Sequence, residues 1–228
     1  MAAPESVTIE NLTGTWTLDS KLSADADPLL SLQGIGWIVR KGIKLATVTI
    51  KLKQFVGKNP QGDNEVLQLT IGQSTGTGLG STTENRLFDG TETSHEDHIF
   101  GKTLTTSKLI GGSASSDGKI RPTIDIQTQI KDPEVAKFLR GEITDDLKLS
   151  EGYLVEGAQT EHGKAVGQEG VWAHVIVKNN EGKWLAEQVW GFETINNERR
   201  YVRRTVVSDK KNYKLGRFVY SYVGPESD

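Results

Sequence analysis

The chain has 228 residues, 35% of them hydrophobic, and a formal net charge of −3 at pH 7. This length suits one β-barrel domain with a sizeable core, and the charge argues against nucleic acid as a partner, because phosphate binding requires a basic surface. The absence of cysteine excludes a disulfide framework and thiol catalysis. No window approaches the about 20 apolar residues of a membrane span, and the first residues lack the pattern of a secretory signal. We therefore expect a cytoplasmic protein that does not insert into membranes.

The stretch from Asn11 to Phe55 has the most informative pattern. It begins with a short β-prone run that contains Gly14-x-Trp16. Asp27-Pro28 is typical of a helix start, with a side-chain acceptor at the cap and proline at the first helical position. A strand followed by helices at this point indicates a β-barrel whose mouth is covered.

Two short helices are predicted between residues 29 and 45, because Gly34 and Gly36 interrupt the helical pattern. We expect this helix-turn-helix to form a lid over a cavity, hinged at the two glycines. The segment after it alternates strictly in polarity, which predicts a strand with one face in the core. The predicted inward residues are Val48, Ile50 and Leu52. The predicted outward residues are Thr49, Lys51 and Lys53.

Strand-like segments separated by turns make up most of the remaining chain. The predicted strands cover residues 65–71, 83–88, 92–100, 102–110, 122–130, 152–159, 171–178, 183–193, 198–208 and 215–223. A short capped helix, ended by Gly141, is predicted from residue 132 to flank or plug one end of the barrel. Since no repeat or linker divides the chain, we predict one domain over 1–228, with loose tails at 1–10 and 224–228.

The first stretch resembles the intracellular fatty-acid-binding proteins of the calycin group, which also includes lipocalins. Besides Gly14-x-Trp16, the resemblance is carried by the turn Leu32-Gln33-Gly34-Ile35-Gly36 and by Arg40-Lys41. Segments at 82–86, 97–102 and 186–204 are similar to lipocalin-like proteins from filamentous fungi. The resemblance implies an all-β fold, an antiparallel up-and-down β-barrel with a helix-turn-helix lid and, in this longer chain, a short inserted helix.

Two short motifs have an obvious chemical interpretation that their context disfavours. Gly72-Gln73-Ser74-Thr75-Gly76 matches a nucleophile elbow, but a glycine-rich loop follows it where that motif requires a helix. His95 and His98 are three residues apart on a predicted strand, so they point to opposite faces and are poorly placed to share a metal ion. We therefore predict no metal and no cofactor. His98 alone is retained as a candidate polar group in the cavity.

The strongest candidates for a ligand site lie on two strands near the C-terminus. One face of 183–193 combines aromatic residues with one amide, which suits a small-molecule pocket and a plain barrel core equally well. On the next strand Tyr201 and Arg203 share a face, whereas a one-residue register change would turn Arg200 and Arg204 inward instead. The predicted catalytic residues are Arg203, Tyr201 and His98, and the predicted substrate-binding residues are Trp190, Gln188, Trp172, His174, Tyr220 and Trp37.

Fatty-acid-binding proteins hold a ligand carboxylate with an Arg-x-Tyr pair on the last strand, the guanidinium binding both oxygens. Here the arginines beside Tyr201 lie one strand earlier, and the last strand reads Gly216-Arg217-Phe218-Val219-Tyr220. Carboxylate binding by this route is therefore left open. By analogy with lipocalins, Arg217 is expected to cover Trp16, and Arg199 and Arg200 are expected at the surface.

The resemblance leaves two classes of function open, both with a hydrophobic small molecule as the partner. The first is a cofactor-free cyclase of the hetero-Diels–Alder type, acting on a polyketide or terpenoid precursor; fungal lipocalin-like proteins of secondary metabolism include such cyclases. The second is a carrier or sensor of a fatty acid or similar molecule. Pericyclic chemistry needs only confinement in near-attack geometry and one or two hydrogen-bond donors. We favour the cyclase on resemblance; the sequence gives no prediction of the oligomeric state.

Overall fold

A computed structural model describes residues 1–76, 80–167 and 169–225. Most of their regular structure is strand, and the helices are short. In chain order the elements are β1 (Gly14–Leu18), α1 (Asp27–Leu32), α2 (Trp37–Leu45), β2 (Val48–Lys58), β3 (Glu65–Thr75), β4 (Ser81–Leu87), β5 (Asp89–Asp97), β6 (Gly101–Ala114), β7 (Ile120–Pro122), α3 (Pro133–Leu139), α4 (Glu161–Lys164), β8 (Glu169–Asn179), β9 (Leu185–Ile195), β10 (Glu198–Ser208) and β11 (Tyr213–Gly224).

The strands form one curled antiparallel sheet in the order β4-β3-β2-β1-β11-β10-β9-β8-β6-β5, with β7 added beside β6. Most neighbours in the sheet are neighbours in the chain, and β11 returns to pair with β1. The all-β, up-and-down antiparallel architecture is thus confirmed. The edge strands β4 and β5 follow one another in the chain without a ladder between them in the described residues. A side-chain hydrogen bond crosses this seam, from Thr105 Oγ1 on β6 to Glu84 Oε1 on β4, at 3.1 Å.

Inside the barrel, an aromatic core fills the end that residues 1–12 cover, which we call the base. Trp16 is fully buried there, and its Nε1 donates to the carbonyl of Leu12 at 3.0 Å. The rings of Tyr201 and Tyr222 lie 5.2 Å and 4.9 Å from it. The predicted alternation of β2 is confirmed, since Ile50 and its inward neighbours join this core while the intervening lysines are exposed.

The N-terminal residues are packed against the barrel, so the prediction of a loose tail at 1–10 is wrong. Ala3, Val7 and Ile9 are buried in the base core. Arg199 holds the same segment, because its guanidinium donates to the carbonyls of Pro4 at 2.8 Å and Val7 at 2.7 Å. At the other terminus β11 continues to residue 224, and residues 226–228 lie outside the described part of the chain.

Helices α1 and α2 lie at the opposite end, the lid end, with their break at Gly34, whose φ is 81°. Leu29 of α1 is buried against Trp184, Ala186 and Val207 at the rim of the barrel. By contrast, α2 has no buried residue. It is held by two ion pairs, Arg40–Asp27 at 3.0 Å and Lys44–Asp25 at 2.7 Å. The two predicted helices are therefore present, and only α1 packs closely on the barrel.

A second core lies outside the barrel wall, beneath the segment 119–165. The helix α3 begins at its Asp132 cap, as predicted, with the carboxylate accepting from the backbone N–H of Glu134 at 2.9 Å. It flanks the outer wall rather than an end of the barrel. The buried residues of α3 are Val135, Phe138 and Leu139. They pack against the outward residues of β8, β9 and β10, which are Trp172, Val189 and Val206.

Two of the predicted strands are not strands of the sheet. Residues 123–131 belong to no strand, and the backbone N–H groups of Gln127 and Thr128 donate to the carboxylate of Glu187 at 3.0 Å and 2.8 Å. Residues 152–159 make only a single bridge, between Tyr153 and Glu193. The apolar residues of the first segment pack on the second core, whereas Leu154 and Ala158 of the second segment pack on the base core. No helix in the described ranges has the length and apolarity needed to span a bilayer.

Candidate functional site

A cavity of about 190 Å³ lies inside the barrel, between the aromatic base core and the lid end. A second cavity, of about 180 Å³, continues from it beneath α1. The two share five lining residues, so we treat them as two lobes of one site. The shared residues are Gln33, Phe100, Ala186, Gln188 and Arg203.

Gln188 of β9 and Arg203 of β10 line both lobes, whereas Trp190 and Tyr201 are fully buried beside them and are not among the lining residues. Arg203 and Trp190 are direct partners in the ladder. The Cζ of Arg203 lies 4.1 Å from the Trp190 ring centroid and 5.1 Å from that of Tyr220. Its Nε donates to the hydroxyl of Tyr201 at 2.9 Å, and the Nε1 of Trp190 donates to the side-chain oxygen of Gln188 at 2.8 Å. The guanidinium is thus held by aromatic rings and a phenol.

Arg203 forms no ion pair in the described residues, and its buried Nη2 has no hydrogen-bond partner there. Burial lowers the pKa of Arg203, but its interactions with Tyr201, Tyr220 and Glu84 outweigh burial and raise that pKa, so the group stays charged. Burial raises the pKa of the Tyr201 phenol to about 12, which keeps that group neutral near pH 7. A buried cation with an open N–H is costly, and an oxygen acceptor in the cavity would offset the cost.

Glu84 and Arg86, both inward on β4, complete the polar part of the site. Arg86 is 6% exposed and donates through Nη2 to the carboxylate of Glu84 at 2.8 Å. Its Cζ lies 5.2 Å from the Trp190 ring centroid. Burial raises the pKa of Glu84, but Arg86 outweighs it and the pKa is lowered, so the carboxylate is ionised. Neither residue was predicted; their only trace in the sequence is a charged face, repeating every second residue, on a strand that resembles a polar surface strand.

Of the two histidines in the predicted strand 92–100, His95 and not His98 faces the cavity. His95 lines the cavity, with its Nε2 3.4 Å from the Asp97 carboxylate. His98, predicted to be catalytic, is exposed in the turn after β5 and is not among the residues around the cavity. The prediction took the wrong face of the strand, because the inward residues of β5 are the alternate ones that include His95 and Asp97, and His98 follows the end of the strand. No group of three or more His, Asp or Glu side chains that could hold a metal ion occurs in the described ranges.

Three residues predicted to bind substrate lie away from the cavity. Trp172 belongs to the second core outside the wall, and the Nε2 of His174 pairs with Glu187 at 2.9 Å on that same face. The inward residues of β8 are the alternate ones, such as Ala173. Trp37 is 59% exposed on α2, beneath the Nζ of Lys41 at 4.8 Å. Tyr220, in contrast, lines the lobe beneath α1.

The remaining arginines settle the register of β10. Arg204 is directed to the outer core, where its Nε donates to Glu193 at 2.7 Å. Arg217 reaches the same carboxylate at 3.5 Å, so it lies on the outer face and does not cover Trp16. Arg199 is not a surface residue, because it pairs with Glu156 at 2.6 Å. The structure therefore has the register with Tyr201 and Arg203 inward.

No protein-family model matches the chain. It is 24% identical over 225 residues to the probable pericyclase scpY of Mollisia scopiformis, an alignment that covers 99% of this chain and 96% of that protein. It is also 24% identical over 227 residues to pericyclase pydY of Acremonium sp, with 100% of both chains covered. The chain is thus similar along its length to proteins that are named as pericyclases.

Solved structures with a similar shape include the wild-type fluorescent protein UnaG, with a TM-score of 0.47 and 10% identity over 94% of this chain and 98% of that one. Another is the fatty-acid-binding protein of Manduca sexta, with a TM-score of 0.44 and 10% identity over 92% of this chain and 98% of that one. Both scores are below 0.5, so the description of the fold rests on the strand order and register given above.

Proposed function

We propose that this chain is a cofactor-independent cyclase of the pericyclase type, which folds a hydrophobic polyketide or terpenoid precursor inside its barrel. The observation that carries the proposal is the guanidinium of Arg203, which lies over Trp190 at 4.1 Å, lines the cavity and has a buried Nη2 without a hydrogen-bond partner in the described residues. The similarity to two proteins named as pericyclases supports the same conclusion.

The specific reaction we propose is a hetero-Diels–Alder cyclisation. Two σ bonds form at the expense of π bonds, and no atom or electron enters or leaves, so the protein's tasks are confinement and charge stabilisation. The cavity walls would hold the reacting ends in near-attack geometry. Arg203, positioned by Tyr201, would donate to a carbonyl, tropolone or phenolate oxygen that gains negative charge as the bonds form. The ring of Trp190 would hold the Arg203 guanidinium in place through their cation–π contact.

A carrier or sensor of a fatty acid is the second candidate function. It is supported by the same guanidinium, since an arginine beside a phenol also suits a carboxylate. The two functions differ in one observable. A carrier binds its ligand stoichiometrically and leaves it unchanged, whereas a cyclase converts an excess of substrate and sets the ratio of stereoisomers.

The test is to incubate the purified protein with an excess of the linear precursor made by enzymes encoded nearby in the genome. Chiral chromatography then compares the product ratio with that of the spontaneous reaction. The cyclase predicts many turnovers per protein molecule and one dominant stereoisomer. Binding of the precursor with the spontaneous rate and ratio would refute the cyclase and favour the carrier.

A further inference from the structure

A second guanidinium, that of Arg86, faces the same indole as Arg203 but comes from β4 at the seam of the barrel. The two Cζ atoms lie 5.2 Å and 4.1 Å from the Trp190 ring centroid. Both side chains line the cavity. A molecule in the cavity can therefore contact both guanidinium groups at once.

Each guanidinium has used part of its hydrogen-bonding capacity within the protein. Arg86 donates from Nη2 to Glu84, and its buried Nε and Nη1 have no partner in the described residues. Arg203 donates from Nε to Tyr201, and its buried Nη2 has no partner in the part of the chain that the structure describes. The open N–H groups thus come from two separate side chains, and they are suited to more than one acceptor oxygen.

The charges around these groups do not balance. Glu84 is the carboxylate paired with Arg86, and its other oxygen accepts from Thr105 at 3.1 Å. Asp97, farther along the cavity wall, is a second carboxylate and lies 3.4 Å from the Nε2 of His95. Beside the Trp190 ring itself, the two guanidinium groups meet one carboxylate, that of Glu84, which leaves one positive charge there. An excess charge in a buried cavity is stabilised best by a ligand of opposite charge.

We infer that the substrate carries a head group with two oxygen acceptors that share one negative charge, bound between Arg86 and Arg203. An enolised 1,3-dicarbonyl and a carboxylate both have this chemistry. The inference deepens the proposed function, on which it rests, by naming the class of substrate that the same cavity takes. Arg86 is then a residue that determines specificity and contacts the substrate directly.

The test uses two matched pairs of probes and titration calorimetry with the full chain. The first pair is 2-decanoylcyclohexane-1,3-dione, which is ionised at neutral pH, and its neutral enol methyl ether. The second pair is decanoate and methyl decanoate. We expect the ionised member of at least one pair to bind about tenfold more tightly than its neutral partner, since a hydrogen bond to a charged group is worth about that factor. The pair with the larger ratio identifies the head group.

Variants then assign the preference to the two arginines. Arg86→Gln and Arg203→Gln should each lower the affinity for the ionised probe by about tenfold and leave that for the neutral probe unchanged. Arg140→Gln is the matched control, because Arg140 pairs with Glu142 outside the barrel. Arg86→Lys keeps the charge and serves if the glutamine variant does not fold, and thermal melting checks each variant. The Arg86→Lys variant should retain part of the preference for the ionised probe.

Equal affinities within both pairs would overturn the inference, as would Arg86 variants that bind both members of a pair like the parent. These outcomes are independent of turnover. Charge-selective binding without conversion of the precursor would refute the cyclase and leave the inference standing. Conversion of the precursor without charge-selective binding would support the cyclase and refute the inference about the head group.

Discussion

The guanidinium of Arg203 stacks on the indole of Trp190, its direct partner across the β9–β10 ladder, with Cζ 4.1 Å from the ring centroid. A desolvated cation–π contact of this kind contributes about 2 kcal/mol. The contact holds a cation at the cavity wall that has no ion pair, and a buried Nη2 that has no hydrogen-bond partner, among the residues that the structure describes. Trp190 therefore fixes the position of the donor on which the proposed chemistry depends.

Replacing Trp16 should lower the stability of the protein whether or not a ligand is bound. Trp16 is fully buried in the base core, and its Nε1 donates to Leu12. Because a large cavity and an unpaired carbonyl would remain, Trp16→Ala should lower the free energy of unfolding by about 3–5 kcal/mol. Urea melts measure this value. Trp37→Ala is the control, since Trp37 is exposed on α2 and should change stability by no more than about 0.5 kcal/mol. Equal melts for the two variants would contradict the assignment.

The buried ion pair between Arg204 and Glu193 should be essential for attaching the segment 119–165, the outer segment, to the barrel wall. Both side chains are nearly inaccessible, and Arg204 also donates to the carbonyl of Phe138 at 3.1 Å. Glu193→Gln leaves a buried charge uncompensated, so we expect a loss of about 3–5 kcal/mol in urea unfolding. Glu181→Gln, which breaks an exposed pair with Lys183, should cost about 0–1 kcal/mol. Similar losses in both variants would show that the pair contributes no more than a surface one.

Tyr201 should make the protein sensitive to alkali. Its pKa is raised by burial to about 12, whereas the unfolded chain ionises near about 10. The unfolded state therefore loses its proton first, so stability is full below about pH 10 and falls between there and about pH 12. Tyr201→Phe removes this contribution, and its free energy of unfolding should fall less steeply than the parent's, by up to about 1.4 kcal/mol per pH unit. Parallel slopes in denaturant titrations across this range would count against the buried phenol.

Hydrogen exchange should distinguish the two helices of the lid. Leu29 of α1 packs on the rim, whereas α2 has no buried residue and is held by ion pairs such as Arg40–Asp27. We expect fast exchange in α2, faster still in Arg40→Gln, and slower exchange in α1. Bound precursor should slow exchange in α1, whose lower side borders the cavity, and leave α3 outside the barrel unchanged. If α1 and α3 responded alike, α1 would not be a lid.

Alternation predicted the sheet where only one face of a strand is buried. In β2, buried Ile50 and Leu52 alternate with exposed lysines, so the inward face can be identified directly from the sequence. In β8 the burial is continuous, because the outer segment covers the face opposite to the barrel interior. A strand that is apolar on both faces gives no basis for choosing between them. Trp172 and His174 were therefore assigned to the wrong side.

The other errors also arise from contacts between residues distant in the chain. The burial of Val7 depends on the open base of a barrel that forms from strands far along the sequence. Arg86 lies in a polar strand, and a polar strand that lines a cavity has the same pattern as one that faces solvent. Tyr201 and Arg203 were placed inward by resemblance to the Arg-x-Tyr pair of fatty-acid-binding proteins, and the register of β9 and β10 has both on the same face as Phe192 and Trp190.

The most direct test of the central claim measures rate and product ratio with the pathway precursor for the parent, Arg203→Gln and Arg217→Gln. Arg217 is the matched control, because it contacts Glu193 on the outer face of the barrel. Removing a donor to a developing oxyanion costs about 100-fold to 1,000-fold in rate in other enzymes. We predict a loss of that order in Arg203→Gln, with a product ratio that approaches the spontaneous one, and unchanged values in Arg217→Gln. Parent rate and stereoselectivity in Arg203→Gln would contradict the proposed chemistry.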